Sequence, residues 1–379
     1  IDFYSGLNSE FNAFLQEHSW WLNDYALYSV CKKANGNRSW EKWPEGIKNH
    51  HPDTLKSVLE GYSEGVHFEK FKQFLFFRQW FHLKDYAREK GIKIFGDLPL
   101  YVSYDSSDVW SNQSLFLLDE DGVPEIVGGV PPDYFSSDGQ LWGNPVYDWA
   151  KLHHDEYHWW IARIYFNLHL FDLVRIDHFR GLESYWAIPA SAETAKTGSW
   201  QKANGFELLN ILKSRMPDLP VIAEDLGEIT PEVEALRDHY ALPGMKVLQF
   251  AFSSDEKNIH LPHNYSINNV VYSGTHDNDT LRGWWESLPE AEKRRVKMYC
   301  SRTNRESMPE QLIEMAWSSV AKLAIVPLQD ILHLGKEARM NTPGTIEQNW
   351  QWRYNKRKDR KAHWAFMKAL NEKYNRENG

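Results

Sequence analysis

From residue 1 to about 90, apolar positions recur at helical spacing. The segments "FNAFLQEHSWWLNDYALYSVCKKA" and "EKFKQFLFFRQWFHLKDYAREKG" each carry such a stripe, with Gly and Pro punctuation between them. Gly91 stands where a glycine closes a helix. Beyond it the rhythm changes to short apolar runs that end in polar or charged residues, with helical stretches between. Six runs fit this description: "IKIFGDLP" at 92–99, "FDLVRIDH" at 171–178, "LPVIAEDLG" at 219–227, "GMKVLQFAF" at 244–252, "NNVVYSGTHDND" at 268–279 and "AIVPLQDIL" at 324–332.

Strands alternating with helices predict an α/β protein with a parallel sheet. The repeated polar endings point to a (β/α)8 TIM-type barrel, whose sites lie where its strands end. A doubly wound sheet would place a glycine-rich phosphate turn after an early strand, and neither G-x-G-x-x-G nor G-x-x-x-x-G-K-[ST] occurs. A barrel has eight strands, so six of the eight are expected in this chain. The expected division is a helical region over 1–90 and a barrel over 91–379. Within the latter, about 100–170 is expected to form a loop over the barrel mouth, because "GGVPPDYFSSDGQLWGNPVYDW" is rich in Pro, Gly, Asp and aromatics.

Composition narrows the ligand. The formal net charge of -9 argues against nucleic acid, whose phosphates call for a basic surface. No apolar run is long enough to predict a membrane span. Two cysteines, Cys31 and Cys300, cannot build a disulfide framework, so a reducing compartment such as the cytoplasm is expected. The first residue is Ile1, which leaves room for an upstream targeting peptide. The 18 Trp, 18 Tyr and 19 Phe exceed what packing alone asks for. Aromatic faces beside Asp, Asn and His suit sugars, covering the apolar side of a pyranose while polar groups take its hydroxyls.

Three predicted strand ends carry carboxylates: Asp177, Glu224 and Asp277, about fifty residues apart, a spacing that suits successive barrel units. Arg175 lies two residues before Asp177, on the same face of a strand, where a cation keeps a carboxylate nucleophile ionised. Glu224 follows the apolar "PVIA", which would desolvate it and favour its acid form. One ionised and one protonated carboxyl are the pair that cleaves a glycosidic bond with retention. Asp277, beside His276, would steady oxocarbenium-like charge. Taken singly, each residue is more often an ion-pair or capping residue; their recurrence with flanking His and Arg favours chemistry. His154 and His158 have a metal-ligand spacing but no evident third ligand, and "HDND" lacks the calcium-loop pattern. No metal or cofactor is expected.

These residues sit in segments that carry a family resemblance. "FNAFLQEHSWWLNDYALY", "GDLPLYVSYDSSDVW", "GVPPDYFSSDGQLWGNPVYDW", "VRIDHFRGLESYWAIPA", "VIAEDLGEITPEV", "YSGTHDNDTLRGWW" and "MNTPGTIEQNWQWR" together resemble the 4-α-glucanotransferases of the amylomaltase or disproportionating-enzyme type, glycoside hydrolase family 77, in the α-amylase clan. The resemblance covers most of the chain. It implies Asp177 as nucleophile, Glu224 as acid/base and Asp277 as transition-state carboxylate. It places Arg175, His178 and His276 around the reacting sugar and Asp97 on an earlier strand end. Asp133, Trp142 and Asn144 fall in a loop that covers the glucan, and Asn349 matches an asparagine of the closing motif. The implied substrates are maltooligosaccharides and other α-1,4-glucans. An α-glucan hydrolase and a non-catalytic glucan-binding protein are the alternatives. The family's two first strands and its S-x-x-A-G-N-P-like segment are not found here, so the helical region 1–90 is expected to be the insertion after a second strand. "EQNWQWR" also departs from the more usual G-N-W-x-W-R. A plastid location fits if a transit peptide precedes this chain.

Overall fold

The computed structural model describes residues 2–132, 136–300, 305, 307–345, 347–358 and 360–376. The fold is α/β and forms two compact units, residues 1–221 and 222–379.

The first unit begins with helices Asp2–Glu17, Ser19–Ala34 and Ser63–Glu89. The first predicted stripe is broken at His18, which is buried between the rings of Phe14 and Phe77. Phe11, Phe14, Leu22, Phe74 and Phe77 form the core of this helical group, with Phe166 and Leu170 packed against it. Gly91 closes the long helix with a φ of 69°, and the Ile92 N–H returns to the Ala87 carbonyl (2.9 Å).

All six predicted apolar runs contribute strands. Ten strands are described: β1 Phe95–Leu98, β2 Ile126–Val130, β3 Gln140–Pro145, β4 Leu173–Ile176, β5 Ser184–Pro189, β6 Ser199–Lys202, β7 Val221–Ala223, β8 Gly244–Val247, β9 Asn269–Tyr272 and β10 Leu323–Ile325. β1, β4 and β7 form one three-stranded sheet in that order, with β1 and β4 parallel. In the second unit β9 lies between β8 and β10, parallel to both. Helices His158–Leu170 and Gly205–Arg215 precede β4 and β7, and Pro231–His239 precedes β8. Glu290–Cys300 and Met308–Ser318 lie between β9 and β10. The second core gathers Leu248, Val271, Leu281, Leu312, Ile313, Ala316 and Leu370.

The stretch expected to be a loop also contains regular structure. β2 and β3 are antiparallel neighbours in a second sheet of order β3-β2-β5-β6, whose other two strands follow β4 in the chain. Gly128 and Gly129 disguise β2 in the sequence, yet a side chain at Gly129 would meet the Gln140 carbonyl and Ile188. Close backbone approach, rather than looseness, accounts for the glycine there. A register shift between Val127 and Gly129 marks a bulge in the β2–β3 pairing.

Candidate active site

β1 and β4 are paired so that Asp97 lies opposite Arg175. The Arg175 guanidinium is nearly buried and makes a two-pronged contact with Asp97, Nε to Oδ1 at 2.7 Å and Nη2 to Oδ2 at 2.8 Å. The same Nη2 donates to Asp177 Oδ1 at 2.8 Å. One cation therefore holds two carboxylates at adjacent strand ends, and its planar fork is suited to this where a lysine is not. Asp97 and Asp177 keep nearly half of their side-chain surface open, so each can meet a ligand. The Asp177 N–H extends the ladder to the Leu98 carbonyl (2.9 Å), which fixes where the carboxylate emerges.

His178 follows in the left-handed region, φ 51° and ψ 46°, and turns the chain into the short 3-10 segment Phe179–Leu182. Burial pushes its imidazole down to about 4, and the Arg180 guanidinium acts in the same direction. At neutral pH it is an uncharged ring with one donor and one acceptor nitrogen. Trp142 meets it edge to face, ring centroids 4.8 Å apart, and Tyr101 lies within 6.3 Å of both rings. Trp142 and Asn144 stand two residues apart on β3, not in an open loop, because β3 is held by pairing to β2. Asn144 Nδ2 donates to the Val102 carbonyl (2.8 Å). Asp133 lies outside the described residues.

Glu224 directly follows β7 and belongs to the second unit. It is half-buried, and Oε1 accepts from the Leu226 N–H at 3.0 Å. Its neighbour Asp225 is the buried one: it accepts from the Met245 N–H (2.6 Å) and from Arg237. The turn after β7 is thus anchored on β8.

In the second unit, His276 and Asp277 lie on the loop between β9 and helix Leu281–Ser287. Thr275 and Asn278 tie that loop to itself, the Thr275 N–H donating to Asn278 Oδ1 at 2.8 Å. Asp277 Oδ1 accepts from Asn341 Nδ2 at 2.6 Å, and its backbone carbonyl accepts from Arg339 Nη2 at 2.7 Å. His276 Nε2 is 3.4 Å from Asp277 Oδ2, and its ring is tilted against Trp350 at 5.2 Å. Asn349 Oδ1 accepts from the Thr342 N–H (3.0 Å), which braces the closing segment.

Asp97, Arg175, Asp177, His178, Trp142 and Asn144 thus fall in the first unit, and Glu224, His276, Asp277 and Asn349 in the second. Sequence reasoning did not single out Tyr101, Arg339, Asn341 or Trp350. Trp350 and Asn341 sit in the quoted closing motif, which was the available signal; nothing local marks Arg339. His154 and His158 are exposed and lie on two successive helices, Trp149–His154 and His158–Leu170. Among the described residues no group of three or more His, Cys, Asp or Glu is arranged to hold a metal, and no helix is long and apolar enough to cross a membrane.

Comparison with known proteins adds a family. Residues 3–358 match the model of the glycoside hydrolase 77 family, described as 4-alpha-glucanotransferase. A 4-alpha-glucanotransferase of Synechocystis is 51% identical over 351 residues, 92% of this chain and 70% of that protein. A potato (Solanum tuberosum) 4-alpha-glucanotransferase, named chloroplastic/amyloplastic, is 49% identical over 88% of this chain and 58% of its own length. Among solved structures, an amylomaltase from Streptococcus agalactiae in complex with acarbose superposes with a TM-score of 0.94 at 39% identity, covering 97% of this chain and 74% of that one.

Proposed function

Because the chain belongs to the 4-alpha-glucanotransferase family, glycoside hydrolase family 77, we propose that its transferase activity runs through Asp177 and Glu224 by double displacement. The chain is a glycosyltransferase that moves glucan segments from a donor glucan to an acceptor glucan. Asp177 attacks the anomeric carbon as Glu224 gives a proton to the departing O4, leaving a glycosyl-enzyme ester. The 4-hydroxyl of an incoming glucan then loses its proton to Glu224 and displaces Asp177, restoring the original anomeric configuration. The two carboxyls work about 5 to 5.5 Å apart in such reactions.

The observation that carries this reading is the Arg175 fork. A guanidinium braced by Asp97 donates to the nucleophile's carboxylate and holds it at the strand end. Asp277 takes the role of transition-state carboxylate, held by Asn341. His178 and His276 are placed in the reading as partners for sugar hydroxyls, with Trp142 as an aromatic wall and Asp97, Asp133, Asn144 and Asn349 completing the glucan contacts. The architecture that fits is the (β/α) barrel of the α-amylase clan, with the helical region 1–90 as an insertion; the parallel pairs β1–β4, β8–β9 and β9–β10 support it. The substrates are maltooligosaccharides and α-1,4-glucans. A plastid is the natural location if the source is a plant, and the cytoplasm if it is bacterial.

Chromatography of the products from pure maltotriose tests this reading. Glucose together with maltopentaose is expected from the protein, and Asp177→Ala is expected to lose on the order of 10^4 or more in turnover. A loss below about tenfold would remove Asp177 from the mechanism.

A further inference from the structure

The loop bearing Asp277 is gripped from beneath by a residue that does not touch Asp277. Asp330, on the short helix Leu328–Ile331, is 1% exposed. Its Oδ2 accepts from Ser273 Oγ (2.9 Å), immediately after β9, and its Oδ1 accepts from the Leu281 N–H (2.7 Å), at the start of helix Leu281–Ser287. The stretch 274–280 between those bonds contains His276 and Asp277.

We propose that Asp330 is a positioning residue for Asp277, fixing both ends of its loop so that Asn341 and Arg339, carried on the same downstream segment, meet the carboxylate and the carbonyl of Asp277. The chemistry of the donors requires such a group. Ser273 and Leu281 are both fully buried, and the Leu281 N–H is an orphan of the helix start, because the Thr280 side chain serves the Gly283 N–H instead. A single carboxylate accepts both bonds at once, whereas an apolar replacement leaves two buried donors unmet. The span is braced once more at Asp279, whose carbonyl accepts from Gln249 Nε2 (2.7 Å). Five bonds join residues 330–341 to this loop, the two above together with those of Asn341 and Arg339 to Asp277 and the Asn341 N–H to the His276 carbonyl (3.1 Å), and make it one unit; loosening its base moves the carboxylate at its top.

This inference rests on the role given to Asp277, and the experiment separates the two. Maltotriose turnover and thermal unfolding are measured for the protein and for Asp330→Ala, Asp330→Asn, Ser273→Ala and Asp277→Asn. Displacement of a reacting group by about 1 Å is worth about 10^2 in rate, so Asp330→Ala is expected to lose about that in kcat with KM changed less than about threefold. Asp330→Asn keeps an acceptor for Leu281 and offers a donor to Ser273 Oγ, and is expected to stay within about tenfold of the unaltered kcat. Ser273→Ala, which spares the Leu281 bond, falls between. If Asp330→Ala does not fold, the comparison of Ser273→Ala with Asp330→Asn decides. An unchanged kcat in folded Asp330→Ala or Ser273→Ala, or an Asp330→Asn as slow as Asp330→Ala, overturns the proposal. Retained turnover in Asp277→Asn would instead overturn the role of Asp277.

Discussion

His178 combines a left-handed backbone with a buried imidazole that resists protonation, and the two have different causes. The backbone is set by the tight exit from β4 into the Phe179–Leu182 turn, where a Cβ at Gly181 would collide with Leu100 and press on the His178 ring. The low proton affinity comes from burial first and Arg180 second. Native His178 stays neutral to about 4, whereas the unfolded chain takes up its proton near 6.5. Its contribution to stability is therefore present above about 6.5 and lost as pH falls toward 4, by up to about 3 kcal/mol. His178→Gln removes that linkage. Urea midpoints of the variant are expected to change less between pH 6.5 and 4.5 than those of the parent, and an identical slope would contradict the burial argument.

At the scale of elements, β1 is set by how closely its backbone approaches its surroundings. A Cβ at Gly96 would overlap the ring of Phe171, one residue before the Asp97–Arg175 contact. Gly96→Ala is expected to destabilise by about 1 to 3 kcal/mol through overpacking. Turnover should fall with it if Phe171 yields by shifting β1, and a urea titration beside a maltotriose assay measures both. β1, β4, β7, β8, β9 and β10 were legible because each lies in a short apolar run ending in polar or charged residues. β2, β3, β5 and β6 were not, since Gly128, Gly129 and the following prolines look like loop, and β6, "SWQK", carries no pattern. The carboxylates and Arg175 could be found from strand ends. Asp330 and Arg339 could not, because their meaning lies in contacts made across about fifty to sixty residues of chain.

For the whole molecule, these buried groups act on pH stability with opposite signs. Burial pushes His260 down to about 4, with Lys246 adding to the effect, so it loses its contribution as pH falls from 6.5, as His178 does. Burial raises the Asp330 carboxyl to about 6 against the bonds from Leu281 and Ser273, so native Asp330 holds a proton that the unfolded chain has released above 3.8. Its contribution is present below about 4 and lost as pH rises to 6. Five histidines held below their ordinary value, His18, His50, His178, His260 and His333, oppose three aspartates raised above theirs, Asp24, Asp108 and Asp330, and the melting temperature is expected to fall on acidification from pH 6.5 to 4.5. Asp330→Asn, lacking one opposing group, should fall more steeply, and a scan at four or five pH values measures it.

The antiparallel sheet has one more consequence, which concerns the order in which the chain is made. β2 and β3 leave the ribosome before β4, and β5, the neighbour on the other side of β2, only after it. At roughly 5 to 20 residues per second, that edge of β2 waits about 3 to 12 s for its partner. During this interval a nascent chain carries an unpaired strand edge, open to a neighbouring ribosome's product or to a chaperone, until the strand bearing Arg175 has emerged and the sheet can close.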